Sequence, residues 1–364
     1  MPKWVYSEVD KISFEFIWRG KDRIKRTTLF QDYKDGGLKV LNFELFVKAQ
    51  RVMWIKRLLY GEKDMGWKVC FDYMFRSVGG RLIFSCNFDA HKIALKAPPF
   101  YMHCLSAWQD LDRCKNCGEN NKDPIFFNNK IVCINGQMVF HESLYLKDIY
   151  KLSHIVDDKG RVRPLSYFKS LGISLIDIVK IYELYKVMPR CWKNVNSDGQ
   201  QHDDDSDISL QLFGKREIFT DVCSRKVYRY FVEALQKEYK LKIKYLSDNL
   251  DLNKKEIGEI FFRPRFSTLI PKLREFQFKL LHGALYTKEK LFQFALAADT
   301  LCSFCHQDTE TYLHIFFNCI KVKLLWQEVI QTFDLREVKK MNWKDFLFGA
   351  AGNSSRIRCI NSIF

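Results

Sequence analysis

The sequence predicts a mainly α-helical fold with small β-hairpins and a compact module rich in cysteine and histidine near the C-terminus. Three observations predict it: apolar residues recur at helical spacing, an Asn-Gly pair separates two short apolar runs, and Cys and His residues cluster between positions 302 and 319. Of the 364 residues, 47% are hydrophobic and 15% are aromatic. This is enough apolar material for the cores of two or three domains, so disorder over the whole length is excluded.

Residues 1–60 are predicted to form a basic helical segment. Apolar residues recur every three or four positions from Val5 to Ile17, which defines one face of a helix, and Gly20 ends it. A second amphipathic helix is predicted from about Phe43 to Leu59. The loop between the two helices and the second helix carry Arg23, Lys25, Arg26, Lys56 and Arg57.

The connecting segment, 61–193, contains local signals for hairpins and helices. Asn135-Gly136 lies between two short apolar runs, and this pair tolerates the positive φ angles of a tight two-residue turn. Ser174 is a predicted helix N-cap because Asp177 follows three residues later, and Pro189 closes the helix that they open.

Composition divides the rest of the chain into four segments. Residues 194–208 hold almost nothing to bury and predict an acidic disordered linker with a domain boundary. A basic helical segment is predicted over 209–272 and the Cys- and His-rich module over 273–330. Within that module we expect a helix over about 273–285 and a second over 288–297, with Thr287 as its N-cap. Residues 331–364 predict a truncated helical tail, because they end on apolar residues without a terminating Gly or Pro.

The charge balance indicates the kind of partner. Lys and Arg number 59 against 43 Asp and Glu, which gives a formal net charge of +16. A chain this basic usually meets a polyanion, and nucleic acid is the commonest one. The predicted partners are therefore RNA or DNA, bound largely through phosphates, with no small-molecule substrate. A solvated basic surface without a specific partner is the alternative.

The N-terminus and the cysteine content predict a nuclear or cytoplasmic protein. Glu8, Asp10 and Glu15 interrupt the apolar positions of the first twenty residues, which is not the pattern of a signal peptide. No run of about 18 apolar residues lacks charged breaks, so no membrane partner is expected. The 12 cysteines are therefore placed in a reducing compartment, where close pairs suggest metal before disulfide.

The strongest motif is Cys302-x2-Cys305-x8-His314-x4-Cys319. Zinc prefers four tetrahedral ligands drawn from thiolate and imidazole, and a C-x2-C knuckle lets two sulfurs reach one ion. All four positions are filled by protein, so the spacing predicts one structural Zn²⁺ in a zinc-knuckle module. Chance spacing in a Cys-rich chain is the alternative.

Other motifs carry weaker signals for chemistry. Cys114-x2-Cys117 lacks partners at standard spacing and is interpreted as a pair of free cysteines. Asp157-Asp158 faintly resembles the paired carboxylates of a polymerase palm, but Lys159-Gly160 follows and predicts a turn. No Walker loop, nucleophile elbow or H-E-x-x-H motif is present, so we predict no catalytic residues.

The surroundings of the Cys and His cluster resemble a known family. Residues 273–287, 301–305, 310–319 and 325–326 are similar to the zinc-binding region that closes the reverse transcriptases of non-LTR (LINE-type) retrotransposons. Residues 16–20, 24–29 and 36–43 resemble the thumb of those polymerases, and 124–168 resembles the region that connects thumb and zinc module. The resemblance implies that 1–60 is thumb-like and that palm and endonuclease would precede the first residue. We therefore expect a fragment without polymerase activity of its own.

Two hypotheses about function follow. In the first, the fragment binds nucleic acid through phosphate contacts; the candidate residues are Arg23, Lys25, Arg26, Lys56, Arg57, Lys279, Lys288 and Lys290. In the second, it is a degenerate or domesticated structural fragment with no nucleic-acid activity. A thumb without its palm is then expected to expose Phe14, Phe16 and Trp54.

Overall fold

The fold was analysed in a computed structural model, which describes residues 2–62, 65–111, 123–193, 208–236, 254–263, 265 and 269–332. Within these ranges the chain is mainly helical with two small two-stranded sheets, which confirms the predicted fold class. Several predicted features lie outside the described residues: Cys114 and Cys117, all but the last residue of the linker 194–208, and the tail from 333 onwards.

Helices dominate the described part of the chain. In chain order the α-helices are α1 Lys3–Trp18, α2 Arg26–Leu29, α3 Phe43–Tyr60, α4 Gly66–Phe75, α5 Pro99–Gln109, α6 Glu142–Tyr145, α7 Leu165–Ser170, α8 Leu175–Val187, α9 Arg190–Lys193, α10 Ser224–Gln236, α11 Lys254–Phe262, α12 Pro271–Leu281, α13 Lys288–Gln293 and α14 Ile320–Thr332. Short 3₁₀-helices occupy Tyr33–Asp35, Arg76–Val78, Gly80–Ser85, Leu152–His154 and Phe219–Asp221. The strands are β1 Cys133–Ile134, β2 Gln137–Met138, β3 Ser209–Leu212 and β4 Lys215–Ile218.

The chain forms two compact units. The first comprises residues 1–6 and 43–234, and the second comprises 7–42 and 235–364. The segment 1–60 is therefore shared between the units, and the residues on both sides of the predicted linker 194–208 belong to the first unit. No helix in the described ranges combines the length and the apolar character that a membrane crossing requires.

The core of the first unit is rich in aromatic side chains. Phe71 and Phe75 stack with ring centroids 3.9 Å apart, and Trp54 packs edge-on against Phe71. Trp108 is fully buried, and its Nε1 donates to the carbonyl oxygen of Phe84 at 3.0 Å. The buried Lys68 donates from Nζ to the Gly61 oxygen at 2.8 Å, so the end of α3 is capped by a charge inside the core.

Two antiparallel hairpins belong to this unit. In the first, β1 pairs with β2 across Asn135 and Gly136, whose φ angles are 49° and 77°, as the Asn-Gly pair predicts. In the second, β3 pairs with β4 across Phe213 and Gly214, with φ angles of 54° and 74°. This second hairpin was not predicted, because Phe is a rare residue at a positive φ.

The turn predicted at Asp157 and the helix N-cap predicted at Ser174 are both confirmed. Asp157 Oδ1 accepts the N–H groups of Lys159 and Arg161 at 3.0 and 2.8 Å, so this carboxylate closes a turn. Ser174 Oγ accepts the N–H of Asp177 at 3.1 Å at the start of α8.

A smaller core joins α1 to α12 in the second unit. Phe14 and Trp18 of α1 are buried with Phe30 and with Phe278 of α12. The expectation that Phe14 is exposed is therefore wrong, since the zinc-knuckle part of the chain covers it. Trp54 also packs into a core, that of the first unit, whereas Phe16 is 85% exposed.

The loop after α2 closes against the same helix. Leu38 and Val40 donate to the carbonyl oxygen of Leu29, and Gly36 adopts a φ of 76°. The carbonyl oxygen of Gly36 then accepts His282 Nε2 at 2.8 Å, just beyond the end of α12. Residues 7–42 and the module around the Cys and His cluster therefore share one folded unit.

Candidate metal centre

A short loop between two paired residues carries the first two candidate ligands. Leu301 and Thr309 form an antiparallel bridge, and Cys302 N donates to the Asp308 oxygen at 2.8 Å. Inside this loop, His306 takes a φ of 54° and donates its N–H to the Cys302 oxygen at 2.9 Å. These bonds turn the chain tightly enough to direct two thiols to one point.

The four side chains of the motif lie together. The ligand atoms of Cys302, Cys305, His314 and Cys319 all lie within 4.8 Å of one another. Cys302 and Cys319 Sγ are 3.9 Å apart, and Cys305 Sγ lies 3.3 Å from His314 Nε2. Zn–S bonds of about 2.3 Å in a tetrahedron separate two sulfurs by about 3.8 Å, whereas a disulfide needs about 2.05 Å. The spacing fits a zinc ion and excludes a Cys302–Cys319 disulfide.

Backbone N–H groups point at the knuckle sulfurs. Phe304 N donates to Cys302 Sγ at 3.4 Å. The N–H groups of Asp308 and Gln307 lower the pKa of Cys305 to about 6, while burial raises the pKa of Cys302. A bound cation would stabilise all of these sulfurs as thiolates, which are the forms that ligate zinc.

His314 is oriented by contacts on both sides. Its Nδ1 lies 3.6 Å from the Asp308 carboxylate, so Nε2 is the nitrogen that faces the sulfurs. A carboxylate behind the outer ring nitrogen is a common way to fix the tautomer of a metal-binding histidine. Its backbone N–H donates to Thr311 Oγ1 at 3.1 Å.

One turn of π-helix carries His314 at its start and Cys319 directly after its end. His314–Asn318 forms this turn. The helical turn starts at Tyr312 and widens at His314. The wider turn places imidazole and thiol on one side, and π turns of this kind occur at functional sites.

Glu310 stabilises the centre through hydrogen bonds to neighbouring residues, a role that the sequence analysis did not assign to it. Only 4% of Glu310 is exposed. Its Oε2 accepts the N–H and the hydroxyl of Ser303 at 2.8 and 2.6 Å, and its Oε1 accepts the N–H of Lys288 at 2.9 Å. Hydrogen bonds from Ser303 and Lys288 outweigh the effect of burial and lower the pKa of Glu310. The spacing of Glu310 four residues before His314 is the signal that could have found it.

Further bonds connect the centre to the loop before α13. The hydroxyl of Tyr312 donates to the Leu285 oxygen, and Lys290 Nζ donates to the Gly283 oxygen. Thr287 caps α13, as predicted, by accepting the N–H of Lys290 at 3.5 Å. The loop from Gly283 to Thr287 is therefore held by hydrogen bonds at Gly283, Leu285 and Thr287.

The candidate nucleic-acid contacts in the N-terminal loop differ in their surroundings. Arg23 and Lys25 are exposed, and in the described part of the chain neither forms an ion pair. The guanidinium of Arg23 lies 5.2 Å from the ring centroid of Tyr286. Arg26, by contrast, bonds Asp22 at 2.7 Å and lies over the Phe14 ring, so its charge is already partnered.

The other candidate cations are largely engaged. In the first unit, Lys56 donates to the Val222 oxygen at 2.9 Å, while Arg57 is exposed. In the second unit, Lys279 pairs with Glu275 and retains only 13% side-chain exposure, and Lys288 lies 3.4 Å from Asp299. Lys290 is bonded to Gly283, and burial lowers its pKa.

The three thiols and one imidazole could hold one metal ion, and this ligand set is one that zinc prefers. Residues 246–326 of this chain match the family described as zinc-binding in reverse transcriptase. The matched range contains the four candidate ligands and extends upstream of the predicted module, 273–330, to include α11. No curated protein matches the chain.

Proposed function

We propose that this chain is a nucleic-acid-binding, zinc-containing fragment of a reverse transcriptase of the non-LTR type, in which zinc holds a basic surface in place. The observation that carries the proposal is the juxtaposition, in one compact unit, of the Cys₃His cluster with the exposed cations Arg23 and Lys25. The match of residues 246–326 to a zinc-binding region of reverse transcriptases supports it.

The role of the metal in this proposal is structural. Cys302, Cys305, His314 and Cys319 hold one Zn²⁺, and the ion supplies a cross-link between the knuckle and the segment before α14. The protein contributes the phosphate contacts. Arg23 and Lys25 are the main candidates for phosphate contacts because, in the described residues, neither forms an ion pair with a carboxylate.

Salt dependence of binding tests the proposal. Each phosphate neutralised in a single strand contributes a slope of about −0.7 to log Kobs against log salt, so affinity falls steeply as salt rises. The double variant Arg23→Ala, Lys25→Ala is expected to weaken binding of a labelled RNA and to flatten this slope by about 1.4. Binding that does not depend on salt would overturn the proposal.

The matched control removes the same charge elsewhere. Lys96 and Lys169 are exposed residues of the first unit that form no ion pair in the described ranges. The double variant Lys96→Ala, Lys169→Ala lowers the net charge by the same amount. It is expected to leave the salt slope unchanged, whereas an equal loss in both double variants would indicate a non-specific effect of total charge.

A structural or interaction fragment is the second candidate, and one surface favours it. Phe16 is 85% exposed and Ile12 60% exposed on the same side of α1, four residues apart. Exposed apolar side chains at this spacing suit a protein partner. A zinc-loaded chain without affinity for RNA or DNA would select this candidate.

A further inference from the structure

The geometry points to a site for single-stranded nucleic acid in which the ring of Tyr286 stacks on an unpaired base while Arg23 and Lys25 contact the adjacent phosphates. This inference rests on the proposed function and deepens it. It states that the partner is single-stranded and names the side chain that contacts its bases. RNA and DNA single strands share this chemistry.

The first step is the position of the ring. Tyr286 is 55% exposed, although it lies in a loop between two helices of the zinc-knuckle module. The guanidinium of Arg23 lies over this ring at 5.2 Å from its centroid. An exposed aromatic ring beside a cation is the combination with which proteins bind single strands: the ring stacks on a base and the cation follows the backbone.

The second step is the rigidity of the ring's support. Two carbonyl oxygens that precede Tyr286 in the chain, those of Gly283 and Leu285, accept Lys290 Nζ and the Tyr312 hydroxyl. The next residue, Thr287, caps α13, and Lys288 N is held by Glu310. A ring on a backbone fixed at these points loses little conformational freedom on binding, so stacking is not offset by the cost of ordering a loop.

The third step is the local charge. The loop before α2 carries four exposed cations, Arg19, Lys21, Arg23 and Lys25, and its acidic residue Asp22 is bonded to Arg26. The loop that brings Arg23 to Tyr286 therefore carries an excess of positive charge, which attracts a polyanion. A duplex would satisfy the cations, but its bases are already stacked and paired, so it would leave the ring unused.

Four fluorescently labelled oligonucleotides with about equal numbers of phosphates test the inference on the zinc-loaded chain: single-stranded 20-mers of RNA, of DNA and of an abasic strand, and a duplex of about ten base pairs. Substitution Tyr286→Ala is expected to weaken binding of both base-containing single strands about 5- to 150-fold, and to change binding of the abasic strand and of the duplex less than twofold. Tyr286→Phe keeps the ring and is expected to keep the affinity.

A control variant and several comparisons make the outcome decisive. Tyr73→Ala removes an exposed tyrosine of the first unit and serves as the matched control. Equal loss of all four oligonucleotides in Tyr286→Ala, or equal affinity of the wild-type chain for abasic and base-containing strands, would overturn base stacking while leaving phosphate binding intact. Failure of every oligonucleotide to bind the wild-type chain would instead overturn the proposed function itself. Unchanged zinc content in Tyr286→Ala separates these outcomes from a folding defect.

Discussion

The buried carboxylate of Glu310 accepts the backbone N–H of Lys288 at 2.9 Å, and this bond joins the zinc knuckle to the start of α13. The same carboxylate holds Ser303 inside the knuckle. The metal centre and the loop that presents Tyr286 are therefore parts of one hydrogen-bonded assembly. Loss of zinc is therefore expected to loosen the loop that presents Tyr286, although no candidate ligand lies in that loop.

Loss of one ligand should release the metal. Cys302→Ser removes a buried thiolate from the four-ligand set, so zinc per chain is expected to fall from one to near zero. Elemental analysis of the dialysed protein measures this. The control Cys70→Ser changes an exposed free cysteine of the first unit and should retain one zinc. Full zinc content in Cys302→Ser would show that the ion is held elsewhere.

Glu310→Gln should destabilise the second unit without removing a ligand. Glutamine keeps the shape of the side chain, but it weakens the charge-assisted bonds to Ser303 and Lys288 at a buried site. The expected loss is about 1–3 kcal/mol in the free energy of unfolding. Urea denaturation with zinc present measures it, and the exposed Glu328→Gln serves as the control. Equal stability of the two variants would contradict a stabilising role for the hydrogen bonds of Glu310.

Acidification should weaken the contact between α12 and the loop around Gly36. Burial lowers the pKa of His282 to about 4, below its ordinary value near 6.5. Because the unfolded chain binds the proton more readily, stability is complete above pH 6.5 and is lost as the pH falls towards 4, by at most about 3 kcal/mol. Hydrogen exchange of the peptides that contain these residues follows the change. His282→Gln should remove this part of the pH dependence; an unaltered pH profile would argue against it.

Gly37 should be intolerant of a side chain. A Cβ atom at this position would lie 2.1 Å from the Gln31 carbonyl oxygen, which is a backbone atom that cannot rotate away. Gly37→Ala is expected to cost about 1–3 kcal/mol, because the loop must shift to relieve the overlap. Gly66 has open space around its Cβ position at the start of α4, so Gly66→Ala should be neutral or slightly stabilising. Thermal denaturation compares the Gly37→Ala and Gly66→Ala variants. Equal melting temperatures would contradict the predicted overlap between a Cβ atom at position 37 and the Gln31 carbonyl oxygen.

Features that depend on neighbouring residues in the chain were predicted correctly from the sequence at several positions. The Asn135-Gly136 turn and the caps at Ser174 and Thr287 follow from short-range chemistry, and each is found where it was predicted. The Cys and His spacing predicted the cluster for the same reason, since a knuckle is built from near neighbours. Helix ends were less exact: the helix after Thr287 stops at Gln293, because Ala295 adopts a φ of 54°.

Contacts between distant segments could not be predicted from spacing. The burial of Phe14 depends on Phe278, and the bond from His282 to Gly36 joins residues far apart in the chain. The partner of Lys56, the Val222 carbonyl oxygen, is likewise set by the fold, and this contact occupies a cation that composition alone presents as free. Lys279, by contrast, pairs with Glu275 four residues earlier in the same helix, a contact that the spacing could have predicted. Periodicity identifies one face of a helix, but it does not identify what covers that face.

Binding of single-stranded RNA across a salt titration, with zinc measured on the same sample, tests the central claim most directly. The account predicts one zinc per chain and an affinity that falls steeply with salt, with a flatter slope in Arg23→Ala, Lys25→Ala and an unchanged slope in Lys96→Ala, Lys169→Ala. A zinc-loaded chain that does not bind RNA or DNA at low salt would contradict it.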